Sequence, residues 1–361
     1  MKNIDSLKLS LKNVPVDIRP SEDNQIHFNF KLEFKNLSDK EKTSFLESLK
    51  FNEEITEGVI NIDLKSEIEL NRLHVFSERV TNEELSKLVD KVVKNYTVFS
   101  FKKKSKEEIL KKYKEGKGED YKKFIRLKEK VIIDNNKKLI KNTFTIYLPK
   151  KFAAILKLNA EKSNIDFNDL EFKNLSVFVD GGYLKIRKIN NSKLTCWNGG
   201  IFLGEVDSSI ITAKSTTNLL IGGIANSNLI TEHTKIEIGE VDAYTDFKDF
   251  GSRFYFYGYS NKFRKFNFKG EYSKVNFFVP NDNYHLEVRG NSTVFKSGEN
   301  DMKVESKKED KILMLSMKTP KTSKYFREFN FDLLNSEFEG HNSELGTMIK
   351  DIKLRSSKKG N

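Results

Sequence analysis

A short apolar pattern recurs along the middle of this chain. Segments beginning at Ile165, Leu184, Ile201, Leu219, Ile236 and Phe254 read IDFNDL, LKIRKI, IFLGEV, LLIGGI, IEIGEV and FYFYGY, each apolar at its first, third and sixth places. Their starts lie 19, 17, 18, 17 and 18 residues apart. That interval is too regular for independent strands and too short for helix-pair repeats, so it marks stacked β-coils. Alternation places the first and third side chains on one strand face, the inside. The two residues before the sixth place often include glycine (Gly204, Gly222, Gly223 and Gly239), and a positive φ there is the predicted corner. A looser series, Leu175, Leu194, Ile211 and Leu229, implies a second strand per coil.

The predicted fold class is therefore mostly β: a single-chain β-solenoid, or β-helix, of roughly 18-residue coils. About seven coils at about 4.8 Å each would build a rod of roughly 30 Å. No coil buries its own apolar face, so neighbours supply the stability. A charge at Ile221 is expected to unfold several coils.

Around this core the pattern predicts four segments. Residues 1–80 form a β-rich part with a short helix: Leu7–Leu11, Val14–Ile18 and Ile26–Phe34 alternate as a small antiparallel opening. Ser38 and Glu41 then make a capping box, with Phe45, Leu46 and Leu49 on one helical face. Gly58–Leu64 returns to strand alternation. Residues 81–141 read as a helical insert, residues 142–300 as the solenoid, and residues 301–361 as a last strand, a capping segment and a tail. Lys311–Lys318 is that last strand, and the aromatic, acidic stretch Tyr325–Phe338 is expected to cover its edge.

Charge sharpens the picture of the insert. Of the formal net charge of +12, an excess of 11 falls between residues 91 and 141, where 18 Lys or Arg face 7 Asp or Glu. Lys102, Lys103, Lys104 and Lys106 are the densest knot, a candidate contact for a polyanion or an anionic membrane. A solvated helical face explains the same residues, and no fold for sequence-specific nucleic-acid recognition surrounds them. No apolar run approaches the length of a membrane-spanning helix, and the first residues lack the order of a secretory signal. Cys196, the lone cysteine, reads as a small core residue. The five histidines show no metal-ligand spacing, so neither a metal nor another cofactor is expected.

The alternation in LKLSLKNVPVDIRPSEDNQIHFNFKLEF, the segment IYLPKKFAAILKLNAEKSNIDF and the repeated coils resemble the bacterial "putative adhesin" family, the head-domain family of autotransporter adhesins found widely in Bacteroidetes-like genomes. The resemblance spans residues 1–300. It implies a β-solenoid domain of unknown function, commonly exported, with no catalytic residues to carry over. It points to the cell envelope or the outside, whereas the chain as written, without an export signal, points to the cytoplasm.

Two functions stay open. One is a non-enzymatic binding, adhesion or scaffold protein whose flat solenoid faces meet a protein or glycan, or a second copy of itself. The alternative is a glycan-processing β-helix enzyme using Glu232, Glu237, Glu240, Asp242, Asp246 and Asp249 with His233, where two carboxylates on one face act as acid and base. The alternating run at Phe254 offers Tyr255 and Tyr257 as an outward stacking platform, with Phe254, Phe256 and Tyr259 as bulky core.

Overall fold

In the computed structural model of the chain, the residues described are 5–67, 73–75, 139–149, 155–168, 170–280, 284–296, 305–309, 312–318 and 327–341. They contain 24 strands and one helix, numbered here in chain order. They divide into two units, one of residues 5–29, 49–67 and those from Phe144 onward, the other of 30–48, 73–75 and 139–143. The expected helical insert lies almost entirely outside the described residues.

The larger unit is a β-solenoid. One side of the coils, side A, is a parallel ladder. Its strands in spatial order are β5 (Val59–Ser66), β1 (Ser6–Lys12), β8 (Ile155–Glu161) and the first halves of β11 (Leu175–Asn190) and β12 (Lys193–Asp207). It continues through β13 (Ile210–Lys214), the second halves of β14 (Asn218–Glu232) and β15 (Lys235–Phe250), then β17 (Lys265–Glu271), β23 (Arg327–Leu334) and β19 (Tyr284–Asn291). Side B runs in the same order. It starts with the Phe144–Leu148 part of β7 (Leu139–Leu148), β2 (Val16–Pro20), β9 (Ile165–Asp166) with β10 (Glu171–Lys173), and the remaining halves of β11 and β12. The first halves of β14 and β15, β16 (Arg253–Phe256), β18 (Lys274–Phe278), β24 (Glu337–His341) and β20 (Val294–Lys296) complete it.

The apolar period does what the sequence pattern demands. Leu184, Ile186, Ile201, Leu203, Leu219, Ile221, Ile236 and Ile238 are fully buried, as are the sixth-place Ile189, Val206, Ile224 and Val241 to within a few per cent. On side A one inward column runs Ile62, Leu9, Leu158, Val177, Leu194, Ile211, Leu229, Phe247, Phe268, Phe331, Val288 in unbroken register. Each full burial stabilises by about 1.5–3 kcal/mol before ordering entropy is subtracted. Past Leu229 the column becomes aromatic, and Phe254, Phe256, Phe266, Phe268, Phe277, Phe329 and Phe331 fill the core in edge-on and tilted pairs.

The corners are built differently from the expectation. Gly204, Gly222, Gly223 and Gly239 do not have positive φ; the strands bend there, and pairing skips the column Arg187, Gly204, Gly222 and Gly239. Glycine at 204 answers a close approach, because a Cβ would stand 2.3 Å from the Arg187 carbonyl oxygen. The true turns between sides are left-handed residues, most of them followed by Ser, Thr or Gly. From side A to side B they are Asn13, Lys162, Gly181, Asn198, Ser215, His233, Gly251, Tyr272, Ser292 and Asn335, with φ between 47° and 73°. Asn174, Asn191, Ser208, Asn226 and Ala243 turn the chain back.

Buried hydroxyls tie these corners together from coil to coil. Ser192 Oγ accepts Leu175 N–H at 3.1 Å, Ser209 Oγ accepts Ser192 N–H at 3.1 Å, and Ser227 Oγ accepts Ser209 N–H at 3.0 Å. Each hydroxyl donates in turn to the carbonyl two residues back. The backbone groups that a turn removes from the strand ladder are thereby satisfied inside.

Three other expectations change. The N-terminal strands are not an antiparallel opening: β1 pairs in parallel with β8 and β5, and β2 with β7 and β9, because their alternation matches the coil pattern. Residues 327–341 do not cover the edge of β22 (Ile312–Lys318). They form a further coil inserted between β17/β18 and β19/β20, with Phe329, Phe331, Leu333 and Phe338 inward and Asn335-Ser336 at the corner. Among the described residues the stack therefore holds ten coils (those starting at β1, β8, β11, β12, β13, mid-β14, mid-β15, β17, β19 and β23) rather than seven. At its two ends side A turns antiparallel, with β4 (Leu49–Thr56) against β5 and, at the far end, β22 against β19 and β21 (Glu305–Glu309) against β22.

The smaller unit carries α1 (Asp39–Ser48), parts of β3 (His27–Lys35) and β7, and β6 (Leu73–Val75), which pairs antiparallel with β7. The capping box forms: Ser38 N–H and Oγ–H both donate to Glu41 Oε2 at 2.8 Å. Of the expected apolar face only Phe45 is buried, edge-on to Phe34; Leu46 is half exposed and Leu49 opens β4.

Candidate binding face

Strand alternation that sends one side chain inward sends the next outward, and parallel pairing aligns the outward ones across coils. On side A two outward rows result. The first runs Asn61, Lys8, Lys157, Ser176, Lys193, Ile210, Asn228, Asp246, Asn267, Asn330 and Glu287. The second runs Asp63, Ser10, Asn159, Phe178, Thr195, Thr212, Ile230, Lys248, Lys269, Asp332 and Arg289. Two hollows, of about 660 and 700 Å³, lie along these rows.

The hollows differ in charge. In the one nearer β19, Asp246, Glu287 and Asp332 balance Lys248, Lys269 and Arg289. Its amides are linked, Asn330 Nδ2 donating to Asn267 Oδ1 at 3.2 Å and Asn267 Nδ2 to Asp246 Oδ1 at 2.7 Å. The hollow nearer β5 is basic. Lys8 and Lys157 stand directly opposite each other and Lys193 two strands on; all three are exposed and make no ion pair among the described residues. The acid lining it, Asp63, is held by Lys65 at 2.6 Å. Beside the lysine row lie Ser10, Asn159 and Thr195, with Phe178 edge-on to Trp197 at 5.0 Å and Trp197 40% exposed. This row was not read from sequence, since Lys8 and Lys157 belong to segments 149 residues apart that only the coil stacking joins.

Tyr255 and Tyr257 lie on side B, half-buried and pointing away from the fully buried Phe254 and Phe256. They open a run of near-parallel rings: Tyr255 to Tyr257 at 6.1 Å, Tyr257 to Phe278 at 5.3 Å, Phe278 to His341 at 4.6 Å. Lys235 Nζ sits 5.6 Å from the Tyr255 ring centre. Tyr259 turns its hydroxyl into the core with no hydrogen-bond partner among the described residues, and burial pushes its ionisation well above the ordinary tyrosine value. Lys102, Lys103, Lys104 and Lys106 lie outside the described residues.

Of the carboxylates weighed as an acid and base, Glu240 and Asp242 share a hollow of about 600 Å³ with Glu205 and Asp207, Glu232 pairs with Lys214 at 3.0 Å, and the others lie elsewhere. Asp242 accepts Ala243 N–H and the Ser260 hydroxyl at a turn, whereas Asp246 belongs to the groove on side A. Glu237 is buried against Lys235 at 2.6 Å. Asp249 is not an outward acid at all: it fills an inward position, taking hydrogen bonds from Thr231 Oγ1, Ser273 Oγ and Ser252 N–H. Cys196 is fully buried between Val179 and Ala213, and burial pushes its thiol up to about 12.

No family model matches the chain, and no curated protein matches it. A solved structure described as "a putative cell adhesion protein from Clostridium sporogenes" is similar at 9% sequence identity, with 94% of each chain covered and a TM-score of 0.21.

Proposed function

We propose that the chain is a non-enzymatic binding protein, of the adhesion or scaffold kind, that holds a protein or glycan partner along the outer face of its coils. The observation that carries this reading is the pair of unbroken outward rows on side A, hollowed along their length and polar throughout most of it. A long shallow face suits an extended partner, whereas a small-molecule enzyme site is ordinarily one enclosed pocket with converging groups. Of the acids weighed for an enzyme, Asp242 is engaged at a turn, Glu237 with Lys235 and Asp249 in the core. The resemblance to adhesins adds the cell envelope as the expected location.

Glycan and protein arrays probed with the full chain test the reading. Ligands should be captured, and substitution of outward side-A residues such as Asn267→Ala and Lys157→Gln should weaken capture. Capture indifferent to every side-A substitution, or cleavage of the captured glycan, would overturn it.

A further inference from the structure

We infer that the basic half of side A is a site for an acidic polysaccharide, laid along the coil stack with its carboxylates on Lys8, Lys157 and Lys193. The inference rests on the reading above and names the ligand class for that face.

Spacing is the first support. Lys8 and Lys157 are register partners on neighbouring strands, and Lys193 lies two strands beyond Lys157. Cations therefore recur at about 4.8 and 9.6 Å along the stack. One coil advances by close to the length of one pyranose ring in an extended glycan, so carboxylates borne on every ring or every second ring meet this row in phase.

Charge is the second. Like charges directly opposite on neighbouring strands repel, and native sheets ordinarily pair them with acids. Asp63 is taken by Lys65, and Glu54 lies at the edge, two strands from Lys8. A polyanion supplies the missing counter-charge through charge-assisted hydrogen bonds.

The neighbouring row is the third. Ser10, Asn159 and Thr195 present donors and acceptors for sugar hydroxyls, and Phe178 with Trp197 presents apolar ring surface for the C–H face of a sugar. Single-stranded nucleic acid would want an aromatic platform for successive bases, and among the described residues this hollow's aromatic lining is Phe178 alone, with Trp197 against it.

The test is calorimetric titration of the full chain with oligogalacturonate, oligoalginate and hyaluronan fragments, alongside methyl-esterified oligogalacturonate and oligo(dT). At least one acidic glycan should bind, with affinity falling as salt rises. Esterification, and the Lys8→Gln/Lys157→Gln/Lys193→Gln variant, should each weaken binding by about tenfold or more. Lys173→Gln, an exposed lysine on side B, should leave it unchanged, and Lys157→Gln alone should show a partial loss with an intact thermal transition. The inference falls if the ester binds as tightly as the acid, if the triple variant keeps its affinity, if oligo(dT) alone binds, or if none of these probes binds. The wider reading survives those failures where an array ligand is still lost on side-A substitution, and falls only where no captured ligand responds to that face.

Discussion

Thr231 Oγ1 donates to Asp249 Oδ1 at 2.5 Å inside the coil stack, on neighbouring strands of one inward column. The same carboxylate accepts Ser273 Oγ–H at 2.5 Å and Ser252 N–H at 3.0 Å. Gly270, next in the column, leaves the room, since a Cβ there would stand 2.6 Å from Ser273 Oγ. Asp249 thus replaces the hydroxyl ladder where the corner interval lengthens from 18 residues, Thr234 to Ser252, to 21, Ser252 to Ser273. Asp249→Ala strands two hydroxyls and an N–H in the core and should cost about 2–4 kcal/mol. Thr231→Val should cost about 1–2 kcal/mol, and the double variant less than the sum. Urea denaturation of the three variants checks both numbers and the coupling.

Corner residues on the same edge of the stack should respond in opposite directions. Ser209 Oγ accepts Ser192 N–H from the neighbouring coil and donates to the Asp207 carbonyl in its own, so Ser209→Ala should destabilise by about 1–2 kcal/mol. Ala243 is held at a φ of 50° with no side chain able to compensate, so Ala243→Gly should stabilise by about 1 kcal/mol. Thermal midpoints of the two variants measure the signs.

The coil period was legible because inward apolar residues at a fixed interval are hard to produce otherwise: Leu184, Ile201, Leu219 and Ile236 all lie in the core. The corners carried the same period in a quieter form, Ser163, Thr216, Thr234, Ser252 and Ser273, hidden because a polar residue in a loop looks solvated while these are buried. Glycine drew attention as the turn residue, yet Asn, Ser, His, Tyr and Lys take most of the left-handed positions here. Residues 6–20 and 327–341 read as lying outside the stack because long intervening segments break the spacing, although each has the inward triplets and the corner of a coil. The Lys8, Lys157 and Lys193 row could not be read at all, since register between distant segments is a property of the stack alone.

Cys196 should be inert in the native chain. Its thiol is fully buried and pushed up to about 12 by desolvation, so almost no thiolate exists at pH 8. Dithionitrobenzoate at pH 8 should release no colour from native protein over minutes and one equivalent in guanidinium. Prompt reaction without denaturant would place this sulfur at the surface and dismantle the Val179–Cys196–Ala213 column.

The Glu337 carboxylate gives a signed pH dependence. Lys296 and Lys274 donate to Oε1 at 2.6 and 2.9 Å and hold its ionisation below the ordinary glutamate value. A depressed folded value means the contribution is complete above the unfolded glutamate pKa and disappears as pH falls through the folded one. Glu337→Gln should therefore lower stability at pH 7 by a few tenths of a kcal/mol and leave it unchanged at the acid end.

Lys157 makes the opposite demand on the fold. It faces Lys8 across neighbouring strands, so the free chain carries a repulsion that the core must absorb. Lys157→Gln should stabilise the unliganded protein by about 0.2–1 kcal/mol at low salt. The gain should shrink as added salt screens the pair over about 10 Å at 0.1 M. Loss of acidic-glycan binding together with a gain in stability would mark a residue kept for a ligand, because a lysine that merely solvates its strand gives neither effect. Chemical denaturation of both forms at 10 and 200 mM salt distinguishes the cases: a salt-independent difference, or a destabilised variant, removes the repulsion and with it the argument that this row is waiting for an anion.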